Sequence, residues 1–540
     1  MALIPVDNVG QVGIVKDINP WQLKPNEWSD GNNVRAEHGA IVKSPGYAEV
    51  MATCPVAPYH IMQIKEGSNA YWIVGGLAKI YVHNGTSWTN ITRQTLGSDV
   101  DYNATADEGW TSTMLGGILV MANGFDQPQF WALSSGVPST ATKMDNLTYW
   151  AAGAGSDYYP VSVRSFRSFL VALNITEAGT PFTGKVKWST EAATQTVPAS
   201  WDETSAIVDA GEYELADTKG PILDGLPLRD TFMIYKDDSV YSMTYVGTPF
   251  IFAFRQLSPS VGVLTKNCVA EYEGGHFILG KGDIYRNDGQ KVESILPHKI
   301  RDYLFSYLDA DNYEKSFVAA DYGRSEMWAC FPSADNTSSQ CTKAIVWNWV
   351  NGSFTIRDIP DLAHIGYGSV TDPNAFTTWA AAVPTWSSAT GWWSQTWASQ
   401  EDVFVMSSPT NTKIYRNNSG NKEDTTNMTS FIERTGLTFD SQTMPNPSAV
   451  KRIKAIWPKM EVSGSNTVNV YVGTQMATEE GVTWSSPVAF NPDSQSKVSV
   501  RAAGKLYGVK FESTGDFYWR LDGYDIELED AGRRGSRSYP

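Results

Sequence analysis

The chain has 540 residues, a formal net charge of −16 and a hydrophobic fraction of 42%. That length exceeds one ordinary core and implies two or three domains, or one repeat-built domain with an appendage. The apolar share excludes wholesale disorder, and the acidic balance excludes a grip on nucleic acid through a general basic field. Aromatic residues (12%) and 45 glycines, set in short alternating runs with Ser and Thr, favour strands and turns over helices. Cys54, Cys268, Cys330 and Cys341 contain no CxxC pair. Their sparse use fits thiols as small core residues in a reducing compartment, with a Cys330–Cys341 disulfide as the lesser alternative. The N-terminus shows no basic segment followed by an apolar one, so no signal peptide is expected. No apolar run reaches the ~20 residues of a membrane helix.

In chain order, residues 1–57 predict an N-terminal arm and docking segment. Pro20, Pro25 and Gly31 break regular structure around Trp21 and Trp28. A rhythm of short strands begins near residue 58. Strands are expected at 60–65, 70–74, 79–83 and 88–92, with Asn84-Gly85 as a hairpin turn. Four antiparallel strands in about forty residues is the size of one propeller blade. Comparable sets follow within 110–147, 161–209, 223–257, 267–295 and 316–358. One helix is expected over 298–309, where Ile300, Leu304, Phe305 and Leu308 share a face. Residues 372–400 form a Trp-rich insertion with almost no charge. A closing β unit spans 401–449, with strands at 403–407, 413–416 and 429–433. A C-terminal β-sandwich spans 450–530, and 531–540 is a flexible basic tail. The expected fold class is all-β: a β-propeller-like domain of about six or seven blades, whose main part is 58–371, with an N-terminal arm, a Trp-rich insertion and a C-terminal β-sandwich.

No constellation predicts catalysis, a metal or a cofactor. The six histidines are never two or four apart, and no HExxH, nucleophile elbow, Walker loop or dinucleotide fingerprint occurs. Three carboxylate groups stand out: Asp237-Asp238, Asp309 with Asp311, and Glu527 with Glu529 and Asp530. A glycosidase needs two carboxylates roughly 5–9 Å apart in a cleft. The first group fits a hairpin tip, and Glu527 and Glu529 fit the solvated face of a strand. Thr478-Glu-Glu-Gly-Val-Thr-Trp484 partly resembles the Asp-box turn of sialidases, with Ala477 in place of Ser and Glu479 in place of Asp. Trp379, Trp386, Trp392, Trp393 and Trp397 lack the basic neighbours of a base-stacking platform. With Trp21 and Trp28 they are candidates for contact between subunits, where Trp is enriched.

Several segments, in order, resemble tail nozzle (tail tubular or hub) proteins of short-tailed bacteriophages. They are Leu23-Lys-Pro-Asn-Glu-Trp-Ser-Asp-Gly-Asn-Asn-Val-Arg35, Gly39-Ala-Ile-Val-Lys-Ser-Pro-Gly-Tyr47 and Val163-Arg-Ser-Phe-Arg-Ser-Phe-Leu-Val-Ala-Leu-Asn174. Val186-Lys-Trp-Ser189, Pro198-Ala-Ser-Trp201, the Trp string and Phe431-Ile-Glu-Arg-Thr-Gly-Leu437 follow. Leu506-Tyr-Gly-Val-Lys-Phe-Glu512, Trp519-Arg-Leu-Asp-Gly-Tyr-Asp-Ile-Glu-Leu528 and Gly532-Arg-Arg534 complete the series. The resemblance implies a virion structural protein assembled in the host cytoplasm. It implies a ring of six copies below the adaptor on the portal side, next to tail fibres or tip proteins. DNA would pass through the lumen without sequence recognition, and there would be no small-molecule substrate. A weakly repelling acidic wall would let DNA slide. The rival expectations are a glycan-binding or glycan-hydrolysing propeller and a tail-fibre module; the latter would more often show coiled-coil or β-helix repeats.

Overall fold

The computed structural model describes residues 2–66, 69–132, 142–147, 150, 158–205, 207–296, 299–371, 400–438 and 450–530. The Trp-rich stretch 372–399 and the tail 531–540 lie outside these residues.

The strand rhythm builds a β-propeller. Six four-stranded antiparallel sheets follow in sequence order, each pairing strand to next strand. Blade 1 comprises His60–Glu66, Asn69–Gly75, Ile80–His83 and Trp88–Asn90, close to the expected positions. Blade 6 ends on Phe354–Leu362. The first strand of each blade lies innermost. Apolar side chains fill the gaps between blades: Ile64, Tyr71 and Ile73 meet Trp110, Leu119 and Met121 between blades 1 and 2. Val120 meets Val163 and Leu170 between blades 2 and 3, and Val403 and Val405 meet Ile61 and Val74 where blade 7 returns to blade 1. Each sheet is thus covered on both faces by its neighbours, which is what removes its apolar side chains from water.

Blade 7 closes the ring with a strand from the other end of the chain. His364–Thr371, Gln400–Ser408 and Lys413–Asn417 supply three strands, and Tyr47–Glu49 pairs antiparallel with the last of them. The strand expected at 429–433 does not close the propeller. As Thr429–Leu437 it pairs with Leu506–Thr514 and belongs to the sandwich. The innermost strand, His364–Thr371, escaped expectation because Gly366 and Gly368 dilute its pattern.

The first fifty residues are not a free arm. Ala2–Asp7 pairs with Trp519–Asp530, the hairpin Val34–Glu37 and Ala40–Lys43 extends the same sheet, and Asp30–Asn32 joins the opposite one. Two six-stranded sheets result, built from both ends of the chain. Ile453, Ile456, Tyr524 and Ile526 share their core with Ile432, Val470, Val509 and Phe511. Trp519 Nε1 donates to Ser430 Oγ (2.9 Å) and Ser513 Oγ (2.8 Å).

The sandwich seats on blade 6 through the same N-terminal segment. Ile14 N donates to Phe354 O at 2.8 Å and Asn33 N to Ile356 O at 3.0 Å. The outer edge of blade 6 is therefore covered rather than open. The helix Arg301–Tyr307 is shorter than expected. Asp17, again from the N-terminal segment, accepts from the N–H groups of Arg301 (2.6 Å) and Asp302 (3.2 Å) at its start.

Closure depends on a close approach at Gly46. A Cβ there would lie 1.8 Å from Lys422 O. Gly46→Val is expected to push the closing strand off blade 7, lowering stability by about 1–3 kcal/mol in urea denaturation; an unchanged midpoint would show that the strand is dispensable.

Candidate functional site

The inner strands converge on an axis filled by a polar network. Asp224 of blade 4 is fully buried and accepts two bonds from Arg164 of blade 3, Nε to Oδ1 at 2.9 Å and Nη2 to Oδ2 at 2.7 Å. Ser162 Oγ (3.1 Å) and the N–H groups of Gly225 (2.8 Å) and Asn267 (3.1 Å) complete its shell. Burial pushes the Asp224 carboxyl up, but the Arg164 charge and these donors outweigh it and hold it below the usual carboxylate range. Arg164 Nη1 also donates to Ser112 O at 3.0 Å, so one cluster ties blades 2, 3, 4 and 5.

On the other side of the axis, His60 Nε2 lies 2.8 Å from Ser112 Oγ, and the His60 and His364 rings meet at a 40° tilt with centroids 4.1 Å apart. A serine against an imidazole invites comparison with acyl-transfer catalysis. The third partner is missing: His60 Nδ1 is buried and has no hydrogen-bond partner among the described residues. Burial lowers the His60 pKa well below its ordinary value, and the neighbouring charges are His364, Arg164 and Lys266. Positive neighbours disfavour the imidazolium that such chemistry requires. Lys266 meets Glu108 at 2.9 Å and Lys315 meets Asp107 at 3.4 Å, drawing the 106–109 turn over this end of the axis. The space left is about 30 Å³, on the scale of one or two water molecules.

The carboxylates singled out from sequence are not brought together. Asp237 and Asp238 sit in the hairpin turn before Ser239, where Asp237 pairs with Lys281 and Asp238 Oδ2 accepts from Gly220 N at 3.3 Å. Asp309 accepts from Asp311 N at 2.9 Å within a turn. Glu529 pairs with Lys454 at 3.0 Å on the face of its strand opposite Ile526 and Leu528. The Asp-box-like segment is a turn in which Glu480 Oε2 accepts from Met476 N at 3.2 Å.

A different pair meets in a cleft of about 570 Å³ between blades 6 and 7, lined by Asp358, Glu423, Asp335, Asp424, Tyr47 and Tyr415. Asn33 Nδ2 lies 3.4 Å from both Asp358 Oδ2 and Glu423 Oε1. The two carboxylates are thus within about 7 Å of each other. Burial, then the Asp358 charge, pushes the Glu423 carboxyl up. Tyr47 and Tyr415 stand edge to face at 5.1 Å. Sequence spacing held no sign of this pair, because Asp358 and Glu423 belong to strands of different sheets 65 positions apart.

Of the expected contact tryptophans, Trp28 is a correction. It is 1% exposed, donates from Nε1 to Val9 O at 2.7 Å and packs against Tyr524. Trp21 is half-buried. Its segment is pinned by buried Arg434, which donates to Pro20 O and Leu23 O, each at 2.7 Å. Trp379, Trp386, Trp392, Trp393 and Trp397 lie outside the described residues. The four cysteines are buried free thiols; Cys268 and Cys341 each donate to a backbone carbonyl at 3.2 Å, and Cys330 and Cys341 are not bonded to one another.

A buried histidine gives the propeller a pH dependence. His276 Nε2 donates to Pro227 O (2.9 Å), while Nδ1 accepts from Tyr235 Oη (2.7 Å), linking blades 4 and 5. Burial lowers its pKa to about 4. Unfolded histidine titrates near ~6.5, so the unfolded chain binds the extra proton. The resulting stability is complete above pH ~6.5 and is lost as pH falls toward ~4, with His276 contributing roughly 3 kcal/mol. Urea denaturation across that window should show a shallower decline in His276→Gln than in the parent. Identical pH profiles would refute the assignment.

No family model matches the chain, and no curated protein matches it. Similar solved structures include PorZ, a surface component of the type-IX secretion system of Porphyromonas gingivalis, at 9% identity and a TM-score of 0.36 over 83% of this chain and 59% of that one. The chain thus spans less than two thirds of PorZ. The WD40 domain of Toxoplasma gondii coronin matches at 8% identity and a TM-score of 0.36, over 72% of this chain and 87% of that one. The AfRom2 CNH domain matches at 8% identity and a TM-score of 0.32, over 69% of this chain and 97% of that one. At this level of likeness none of them bears on function, and the propeller stands on the sheet order of the chain itself.

Proposed function

We propose that the chain is a virion structural protein, a subunit of the tail nozzle ring of a short-tailed bacteriophage. Six copies would enclose the DNA exit channel below the adaptor, with fibres or tip proteins alongside. The ring would retain the packaged genome and let it pass at ejection. The observation that carries this is the ordered series of nozzle-like segments, whose two ends come together. Residues 30–35 of the opening segment and 519–528 of the closing one lie in the same sandwich, and Gly39–Tyr47 runs from that sandwich into blade 7.

The filled propeller axis supports the same picture. Paired charges and the 106–109 turn occupy it, so a DNA channel would have to lie outside the propeller, between copies. Closed rings use head-to-tail contacts between two different surfaces of one chain. The net charge of −16 suits a wall along which DNA slides. Negative-stain microscopy of the purified chain, alone and with its co-expressed adaptor, should show six-fold rings. A chain that remains monomeric in both preparations would overturn the proposal.

A second reading, glycan hydrolysis, is favoured by one feature: the Asp358–Glu423 pair beside Tyr47 and Tyr415. Their two oxygens lie no more than about 7 Å apart, below the roughly 9 Å upper end of the range used by paired glycosidase carboxylates, and a carboxyl with a raised pKa suits a general acid. Against it, Lys343 lies 3.7 Å from Asp358, and Asn33 and Asn32 donate to the same carboxylate, roles that serve to hold the sandwich on blade 6. If the cleft is catalytic, the parent releases reducing sugar from host surface polysaccharide and Glu423→Gln loses about 10²–10⁴-fold of that activity. Absence of release by the parent removes this reading.

A further inference from the structure

Two uncovered sheet edges of opposite charge lie on different sides of the molecule. The first is Val498–Gly504, the edge strand of one sandwich sheet. Val498 and Val500 join the sandwich core, which leaves Ser499, Arg501 and Ala503 exposed. Residues 497–505 hold Lys497, Arg501 and Lys505 and no carboxylate. Arg452 is exposed on the neighbouring strand, opposite Ala503. The carboxylates Glu527 and Glu529 lie one strand further in, and Lys454 takes Glu529 at 3.0 Å. Lys497 lies over the Trp457 ring at 5.0 Å, and Arg501 and Lys505 make no side-chain hydrogen bond or ion pair among the described residues.

The second edge is Gly211–Glu214, the outermost strand of blade 3. Residues 189–218, which lead into and out of it, hold seven carboxylates and no Lys, Arg or His. Lys187 takes Glu203 at 2.8 Å, Lys185 takes Glu212 at 3.1 Å, and Asp202 accepts from Thr204 N at 3.0 Å in its own turn. The other four, Glu191, Asp209, Glu214 and Asp217, form no ion pair among the described residues. Lys236, which feels the charges of Glu214 and Asp217, is buried and donates to Leu215 O (3.0 Å) and Thr218 O (2.7 Å). Within this acidic strip Tyr213 is 48% exposed and stacks on Phe254 of blade 4 at 4.5 Å.

These two edges cannot meet within one chain. The sandwich seats on blade 6, whereas blade 3 packs between blades 2 and 4 across the ring. A second copy brings them together. We propose that copies of this chain associate head to tail, with the basic Val498–Gly504 edge of one against the acidic Gly211–Glu214 edge of the next. Each copy carries both strips, so every strip finds a partner without another protein. Opposite charges fix the register of such a contact and reject the pairing of either edge with itself, and Tyr213 supplies an aromatic anchor. Edge strands also present unpaired backbone groups that favour being covered. A contact between two different surfaces passes from copy to copy and closes into a ring where the rotation allows. The inference rests on the ring reading above for the number of copies alone.

The test is sedimentation velocity of the full chain across a range of salt. The parent is expected to associate at low salt and to come apart as salt is added. Two double variants each reverse one strip: Lys497→Glu with Arg501→Glu, and Glu214→Lys with Asp217→Lys. Each alone should weaken association about tenfold or more. An equal mixture of the two should regain it, since each variant then offers an edge of the charge the other lacks. Lys291→Glu, at a hairpin turn of blade 5, should associate as the parent does. Thermal denaturation checks that every variant is folded. A parent that stays monomeric at every salt concentration, association unchanged by both reversals, or a mixture of folded variants that remains apart would each overturn the proposal. Six-fold rings that survive both reversals would overturn this contact and leave the ring standing. Open chains of the parent that both reversals break would support the contact and count against the ring.

Discussion

Everything in this molecule hangs on the pairing of Tyr47–Glu49 with Lys413–Asn417. A ring of sheets has one seam, and this seam is closed by a strand that enters from the opposite end of the chain. Bringing residues so far apart in sequence together has a loop-closure cost that only grows slowly with length. In return, blade 7 gains a fourth strand. The same excursion carries the preceding residues across the rim of blade 6. They have nowhere to end but the C-terminal strands, so the first fifty residues become part of a sandwich. Gly46 allows the two backbones to meet at the seam, Asp17 fastens the path to the helix before blade 6, and Asn33 and Arg35 fasten it to blade 6 itself.

The second constraint is the axis. Arg164 and Asp224 form a buried ion pair whose charges would be unfavourable alone and are tolerable because Ser162 and the N–H groups of Gly225 and Asn267 donate to the carboxylate while Ser112 O and Asn267 Oδ1 accept from the guanidinium. Such a pair adds little net stability against an apolar core, yet it demands that blades 2 to 5 keep one arrangement. With His60, His364 and the 106–109 turn in place, little space remains at the centre. Two larger clefts lie at the periphery among the described residues, both beside the N-terminal segment that joins propeller and sandwich. The joint is therefore the mechanical link between the two halves.

Much of the propeller was legible in the chain. Alternation of apolar and polar residues, with Gly and Asn at turns, located nearly every strand of blades 1 to 6 within a few residues, since a local hairpin is encoded by its own sequence. The helix over Arg301–Tyr307 was visible through Ile300, Leu304 and Leu308. Errors arose where pairing is not local. Thr429–Leu437 has the pattern of a strand, and nothing in that pattern says which sheet it joins. Trp28 sits among prolines and polar residues and suggests an exposed contact, but the sandwich closes over it. Asp358 and Glu423, and His60 and Ser112, are each brought together by partners far apart in sequence.

By itself the sequence determined the class of the molecule: all-β, blade-sized units, a strand-rich C-terminal region, and no local motif for metal or cofactor. These follow from periodicity, turn chemistry and ligand spacing, which act over a few residues. Tertiary structure alone decided the closing strand, the fate of the N-terminal segment, the filling of the axis and the two charged clefts at the joint. Those depend on which edge a strand pairs with and which charges end up buried together, and both are settled only when distant backbone hydrogen bonds compete for the same sheet edge.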